Sequence, residues 1–177
     1  MIDLRERFSP KAFDQSLIEA SDLTAIMEAA AWAPSAYNEQ PWHFHVALRQ
    51  DEAAFESFLG VLTEGNQAWA KDASALVFSV ARRERVRDGL KNDYAFYDTG
   101  QAVAHLTVAA LGQGLQLHQM QGFVVAECRR LLRLPSGVDP VTAFVIGRPG
   151  PGQSRNMPHR LRKDVREVFV VHGVAGS

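Results

Sequence analysis

The 177-residue chain has the composition of a folded globular domain, since 46% of its residues are hydrophobic and 22% are charged. Its 19 basic and 20 acidic side chains give a net charge of −1, so we expect neither nucleic acid nor an anionic membrane as a partner. The N-terminus has no apolar stretch of signal-peptide length, and no apolar run is long enough to span a bilayer. A cytoplasmic protein with one domain, residues 1–177, is therefore expected.

Helix caps and apolar periodicity divide the first half of the chain into helices and strands. The predicted elements are a helix over Asp22–Ala33, a strand over His43–Leu48, a helix from Asp51 to Gly65 and a strand over Ala75–Ala81. Asp22 and Asp51 can cap the two helices, and Pro34 ends the first one. The run Ala75–Ala81 is apolar, which is typical of a strand covered on both faces.

The second half continues with three helices and two strands. The predicted elements are a long helix over Asp98–Gln113, a strand over Leu115–Met120, a helix over Val124–Leu134, a strand over Val141–Gly147 and a short charged helix over Leu161–Val168. The long helix directs Ala102, Val103, Leu106, Ala109 and Ala110 inward, and its small residues favour close packing against another element or a partner chain. Because helices and strands do not alternate strictly, the predicted fold class is α+β.

Several familiar kinds of site find little support in the sequence. The glycines from Gly147 to Gly152 follow a predicted strand but open no helix, so a dinucleotide-binding turn is not expected. His43 and His45 would share one face of a strand, but no third ligand accompanies them, and no metal site is predicted. Cys128, the only cysteine, lies beside two arginines that can lower the pKa of its thiol, although a bystander thiol is the preferred interpretation.

Three segments carry side chains suited to binding an anion. Arg7, Ser9 and Lys11 alternate along an irregular N-terminal segment, so in extended chain they can converge on one anion. Residues 33–42, APSAYNEQPW, form a loop rich in amide and hydroxyl groups between a helix and a strand. Arg160 and Arg162 add a second pair of alternating cations. Taken singly, each segment is more commonly a solvated surface feature.

Together these segments resemble one known family. RFSPKAFD, followed about twenty residues later by APSAYNEQPWHF, is similar to FMN-dependent nitroreductases, and GNQAW, GLQLHQMQGF and RLRKDVREV continue the resemblance in the same order. The resemblance extends from about Arg5 to Phe169. It implies a nitroreductase-like fold with a central mixed β-sheet flanked by helices, and an intertwined homodimer with FMN at the subunit interface.

The resemblance also implies which residues bind the cofactor. Arg7 and Ser9 are expected to contact ribityl and phosphate oxygens of FMN, and Lys11 to approach the N1/O2 edge of the flavin, where a cation stabilises the reduced state. Phe8 replaces a second basic residue of the family, so one polar contact is lost or exchanged for stacking. The other implied contacts are Asn66 at the polar edge, Met120, Gln121 and Gly122 near N5, Arg160 and Arg162 at the phosphate, and Pro34, Ser35, Ala36 and Asn38 from the other subunit. Tyr37 in the same loop either touches substrate or is a packed structural tyrosine.

The implied activity is that of an oxidoreductase. NADH or NADPH passes hydride to N5 of FMN, and a small-molecule acceptor such as a nitroaromatic or quinone then takes the electrons in a ping-pong cycle. No catalytic side chain is predicted, because the cofactor carries the chemistry. Two alternatives stay open: an FMN-binding protein without meaningful turnover, acting as a sensor or reservoir, and a specialised flavin dehydrogenase of the same fold.

Overall fold

The computed structural model describes residues 1–154, 156 and 161–172. The helices are α1 (Ala20–Ala31), α2 (Glu52–Leu59), α3 (Glu64–Ala70), α4 (Ala95–Gly112) and α5 (Val125–Leu131). The strands are β1 (Trp42–Leu48), β2 (Ala75–Arg82), β3 (Gln116–Met120) and β4 (Val138–Gly147). The strands form a sheet in the order β1-β2-β4-β3, so β1 and β3 are its two edges.

The α+β class and the central sheet flanked by helices are confirmed, but the expectation of a mixed sheet is corrected. All strand pairings within the described residues are antiparallel. A parallel neighbour requires a crossover to the far end of the strand, usually through one helix. Here two helices, α2 and α3, join β1 to β2, and Ala75 at the start of β2 pairs with Leu48 at the end of β1.

The sheet separates two layers of helices, each with its own apolar core. On one face, α1 and α4 pack on the sheet through residues such as Ile26 and Leu106. On the other face, α2 and α5 pack on it, with Phe55 among the buried residues. Strand β2 contributes to both cores because alternate residues point to opposite faces: Val77 belongs to the first core and Phe78 to the second. The prediction that this strand is covered on both faces is confirmed.

The small residues of α4 are divided between the core and the surface, and Ala109, which was predicted to point inward, is half-buried. Ala102 and Ala110 are completely buried in the core shared with α1, so close packing against another element is confirmed for them. These two alanines are therefore not available to a partner chain. The outward positions of α4 include Ala104 and His105, which are exposed.

The helix ends differ from the predicted ones at several positions. Helix α1 begins at Ala20, two residues before Asp22, which lies in the first turn and does not cap the helix. Asp51 does cap α2, since its carboxylate accepts a hydrogen bond from the backbone N–H of Ala54 at 3.1 Å. Helix α2 ends at Leu59, and Gly65 lies inside a separate helix, α3.

The C-terminal helix predicted over Leu161–Val168 is wrong in extent. Only Val165–Glu167 is helical, as a single 3-10 turn that begins at a capping box between Asp164 and Glu167. The described residues from 161 onward are all exposed in the single chain, so no packed face supports a longer helix. Among the described helices, none has the length and apolar character needed to cross a membrane.

Candidate functional site

The N-terminal segment is fastened to edge strand β3 by one buried glutamine. The side-chain amide of Gln116 donates to the backbone carbonyl of Glu6 at 3.1 Å and accepts from the backbone N–H of Phe8 at 3.1 Å. Gln116 therefore bridges the peptide groups on either side of Arg7. The Arg7 guanidinium in turn donates to the Ser9 hydroxyl at 3.3 Å. Two of the three predicted anion-binding side chains are thus held together.

Arg7 and Ser9 line a cavity of about 370 Å³ between the N-terminal segment, α4 and β3. The wall from α4 includes Thr107 and Val108, and the wall from β3 includes Gln119. Phe8 does not line this cavity. It is a buried residue, with only 8% of its surface exposed. Of the two outcomes expected for Phe8, stacking on a bound cofactor is therefore disfavoured.

Pro10, the residue before Lys11, makes a second contact between the N-terminal segment and β3. The Nδ1 atom of His118 donates to the backbone carbonyl of Pro10 at 2.7 Å, and its ring stacks on the indole of Trp69 with 4.3 Å between centroids. Lys11 itself is exposed, and its backbone N–H donates to the Gln153 side chain at 3.0 Å. The lysine side chain is therefore at the surface on a backbone fixed from both sides.

Asn66 and Gly122, which were predicted from separate segments, are in direct contact. The backbone carbonyl of Gly122 accepts hydrogen bonds from Asn66 Nδ2 at 3.0 Å, Thr63 Oγ1 at 3.1 Å and the Thr63 backbone N–H at 2.9 Å. A Cβ at position 122 would lie 2.4 Å from Asn66 Nδ2, so any other residue would require the Asn66 side chain to move and to give up this hydrogen bond. The side chain of neighbouring Met120 is buried in the core, whereas Gln121 is exposed.

These contacts join the predicted residues at the β3 edge. Asn66 and Trp69 lie one turn apart on α3. Trp69 stacks on His118, which donates a hydrogen bond to Pro10, the residue before Lys11. The sequence did not single out Gln116, Trp69 or His118. For Gln116 and His118, the available signal was the placement of polar residues on the predicted strand Leu115–Met120.

The donor set at this edge suits a phosphate-bearing polar cofactor. Arg7 and Lys11 provide two cations, Ser9 a hydroxyl, and Asn66 an amide, which match the anionic and carbonyl oxygens of FMN. Arg162 is exposed, and its guanidinium donates to the carbonyl of Leu161 at 3.0 Å. Arg160 lies outside the described residues.

The loop Pro34–Gln40 lies before β1, at the opposite edge of the sheet. Three of its non-glycine residues have a positive φ: Tyr37 at 56°, Asn38 at 56° and Gln40 at 44°. Two of the contacts that fix the loop involve Ser35 and Ala36. The backbone N–H of Ala36 donates to buried Asp98 at 3.0 Å, and the Ser35 hydroxyl accepts from the backbone N–H of Gln40 at 3.0 Å. Neighbouring strands are spaced by about 4.8 Å, so edges β1 and β3 are about 14 Å apart.

Tyr37 is not a packed core residue, because 72% of its surface is exposed. The guanidinium of Arg87 lies over its ring, 3.6 Å from the centroid. Pro34 and Asn38 are also exposed, and Ser35 and Ala36 are half-buried. The loop therefore presents the side chains of Pro34, Tyr37 and Asn38 to the surface on a strained and well-anchored backbone.

The histidine pair and the cysteine have no predicted role at this site. His43 and His45 line a second cavity, of about 320 Å³, with their ring centroids 5.5 Å apart. Burial, and secondly the neighbouring His43, lowers the pKa of His45. Burial raises the pKa of the Cys128 thiol to about 11, against the opposing effect of Arg129, which agrees with a bystander thiol.

Comparison with known proteins agrees with the resemblance noted in the sequence. The model of the nitroreductase family matches residues 4–68. A solved structure described as an oxidoreductase containing FMN is 34% identical and superposes with a TM-score of 0.79, over 85% of this chain and 78% of that one. An oxygen-insensitive NADPH nitroreductase of Helicobacter pylori strain J99 is 37% identical over 78 residues, or 42% of this chain and 34% of that protein.

A further relative, an uncharacterized 15.4 kDa protein of Mycolicibacterium smegmatis, is 35% identical over 99 residues. That match covers 56% of this chain and 65% of the relative. The chain therefore matches less than two thirds of the length of these two curated relatives.

Proposed function

Since this chain belongs to the nitroreductase family, we propose that it is an FMN-dependent oxidoreductase that takes electrons from NADH or NADPH and passes them to a small-molecule acceptor such as a nitroaromatic or quinone. We propose further that residues 1–177 act as a single FMN-binding domain. The M. smegmatis relative has no stated activity, so the activity rests on the family and on the residues described above.

One observation carries the proposal. The contacts of Gln116, His118 and Trp69 join three segments of the chain at one sheet edge, and these segments contain Arg7, Lys11, Asn66 and Gly122. A merely solvated N-terminal segment would not need a buried glutamine to fix its peptide groups. The fixed backbone instead supports a preorganised set of donors for an anionic cofactor.

Each group of residues would bind a different part of the FMN molecule. Arg7 and Ser9 hold ribityl and phosphate oxygens, with Arg160 and Arg162 as further cations for the phosphate. Lys11 holds its charge beside the N1/O2 edge, and Asn66, Met120, Gln121 and Gly122 border the ring. When bound, FMN supplies the hydride-accepting and electron-donating centre. No side chain of the chain is required as a catalytic acid or base.

A second copy of the chain would complete each site. Pro34, Ser35, Ala36 and Asn38 lie at the edge opposite to Arg7 and Lys11, so a site that uses both sets is most simply shared between two subunits. The C-terminal segment supports this arrangement. Its apolar side chains are 55% or more exposed in the single chain: Val165, Val168, Phe169, Val170 and Val171. Such a segment needs a partner surface.

The test is the absorption spectrum of the purified protein. The proposal expects bound FMN in preference to FAD, and bleaching of the flavin band upon anaerobic addition of NADH or NADPH, followed by recovery with a nitroaromatic or quinone. Flavin that binds but is not reduced would support a sensor or reservoir. Absence of any flavin affinity would contradict the proposal.

A further inference from the structure

Glu39 is a buried carboxylate that joins the loop Pro34–Gln40 to the segment after β2. Only 9% of its surface is exposed. Its carboxylate accepts from the backbone N–H of Val86 at 2.6 Å, from that of Arg87 at 3.5 Å, and from the Arg82 guanidinium at 3.4 Å. The contacts to two successive backbone N–H groups fix the chain at the position from which the Arg87 side chain starts.

This clamp brings Arg87 over the exposed ring of Tyr37, where the guanidinium carbon is 3.6 Å from the centroid. A guanidinium that lies over a ring keeps its N–H groups directed outward in its own plane. The Nε atom of Arg87 forms an ion pair with the Asp88 carboxylate at 3.2 Å. The Arg87 side chain remains 43% exposed, so its pairing with Asp88 leaves it partly open to solvent.

Arg87 shares its carboxylate partner with a second arginine. Asp88 is shared between Arg87 and Arg85, the latter at 3.0 Å, so two guanidinium groups face one carboxylate. Glu39 and Arg82 neutralise each other. The Tyr37–Arg87 pair therefore combines an exposed aromatic ring with a partly exposed cation.

We propose that Arg87, positioned by Glu39 over Tyr37, is a specificity-determining residue that selects acceptors in which an aromatic ring carries a carboxylate. This inference rests on the proposed function, in which the Pro34–Gln40 loop completes the FMN site of a second copy, and on the sequence prediction that Tyr37 in this loop touches the substrate. A planar carboxylate can take two parallel hydrogen bonds from the terminal nitrogens of Arg87, while the ligand's ring packs beside Tyr37. Glu39 acts through Arg87 and is a positioning residue.

The test compares two acceptors that share ring and nitro group, 4-nitrobenzoate and neutral 4-nitrobenzamide. The measured quantity is the ratio of their kcat/KM values. Arg87→Gln is expected to lower the benzoate-to-benzamide ratio about tenfold, the scale of a lost charge-assisted hydrogen bond. Arg130→Gln, which also removes an exposed arginine paired with a nearby carboxylate, is the control and should leave the ratio unchanged.

Glu39→Gln keeps the shape of the side chain but removes its charge. It should lower the ratio in the same direction, and the double variant Glu39→Gln/Arg87→Gln should have the ratio of Arg87→Gln alone. This non-additivity is the signature of a residue that acts through another, since a general loss of stability would affect both acceptors alike.

Binding of benzoate and benzamide, followed by calorimetry, separates this inference from the proposed function. If the protein reduces neither acceptor but Arg87→Gln weakens benzoate binding alone, the proposed function fails and the carboxylate site stands. If both acceptors are reduced with the same ratio in wild type and Arg87→Gln, the inference is overturned and the proposed function stands. Equal benzoate binding by both proteins would also overturn it.

Discussion

The side-chain nitrogen of Asn66 lies 3.0 Å from the carbonyl oxygen of Gly122 and occupies the space that a Cβ at position 122 would need. The contact depends on the missing side chain at residue 122, because a Cβ there would displace the Asn66 and Thr63 side chains from their present positions. The relationship couples two segments that lie far apart in sequence.

We predict that Gly122→Ala separates these segments. The added methyl group would meet Asn66 Nδ2 at 2.4 Å and Thr63 Oγ1 at 2.7 Å, so the free energy of unfolding should fall by about 1–3 kcal/mol. FMN affinity should fall with it. The control is Gly65→Ala in α3, where a Cβ meets nothing within 4 Å and helix propensity improves. Urea unfolding and FMN titration of both variants provide the measurement, and equal stabilities would refute the steric argument.

The Lys11 side chain provides a second prediction, on the reduction potential of bound FMN. Lys11→Met should retain the cofactor but lower its potential, because a fixed cation no longer stabilises the reduced state. Hydrogen bonds to charged groups contribute about 1.5–3 kcal/mol, which corresponds to about 30–65 mV for a two-electron couple. Equilibration with a reference dye measures the potential. Lys71→Met, at an exposed lysine after α3, is the control, and an unchanged potential in fully loaded Lys11→Met would exclude contact with the N1/O2 edge.

Dimerisation and flavin binding should be lost together when the C-terminal segment is changed. Phe169→Asp introduces a charge on an apolar side chain that is 55% exposed in the single chain, so a second copy would have to bury that charge. Sedimentation and FMN titration should both show the loss. Leu17→Asp, at a similarly exposed apolar position before α1, is the control. A monomeric Phe169→Asp variant with wild-type FMN affinity would contradict the shared site.

Stability should depend on pH through His45. Because burial lowers its pKa in the folded protein, the unfolded chain takes up a proton first as the pH falls below about 6.5. The stabilising contribution is therefore fully present above that pH and is lost as the pH falls towards the folded pKa. His45→Gln should weaken this dependence, measured as urea unfolding at about pH 7.5 and about pH 5.5. The control is His105→Gln on the exposed face of α4; if both variants behave as the wild type, His45 is not responsible.

The sequence predicted most of the strands and helices because caps and apolar periodicity are local signals. Asp51 capped its helix as expected, and the apolar run beginning at Ala75 became a strand buried on both faces. Asp22 is not the cap because α1 begins two residues earlier, at Ala20, which puts Glu19 at the N-cap position and Asp22 inside the first turn. The helix predicted over Leu161–Val168 was wrong because its charged residues have no packed face, and only a 3-10 turn over Val165–Glu167 forms.

Within the site, the family resemblance indicated single residues but not the contacts that hold them. Asn66 and Gly122 were both named, yet their steric dependence on each other appears only in three dimensions. Gln116 could not be recognised, because a glutamine on a strand is unremarkable until its amide is seen to bridge the peptide groups beside Arg7. The contacts of Glu39 could not be predicted either, because its partners Val86 and Arg87 lie 47 and 48 residues further along the chain.

The stack of Trp69 on His118 gives the protein an internal optical reporter. The chain has three tryptophans, and they lie in different surroundings: Trp32 is 86% exposed, whereas Trp69 is held 4.3 Å from the His118 ring at the β3 edge. Indole emission overlaps the absorption band of oxidised flavin, so a flavin bound at this edge would quench the emission of Trp69. Light emitted by Trp69 should therefore respond to events at this edge, while red-shifted emission from Trp32 provides an internal reference in the same spectrum.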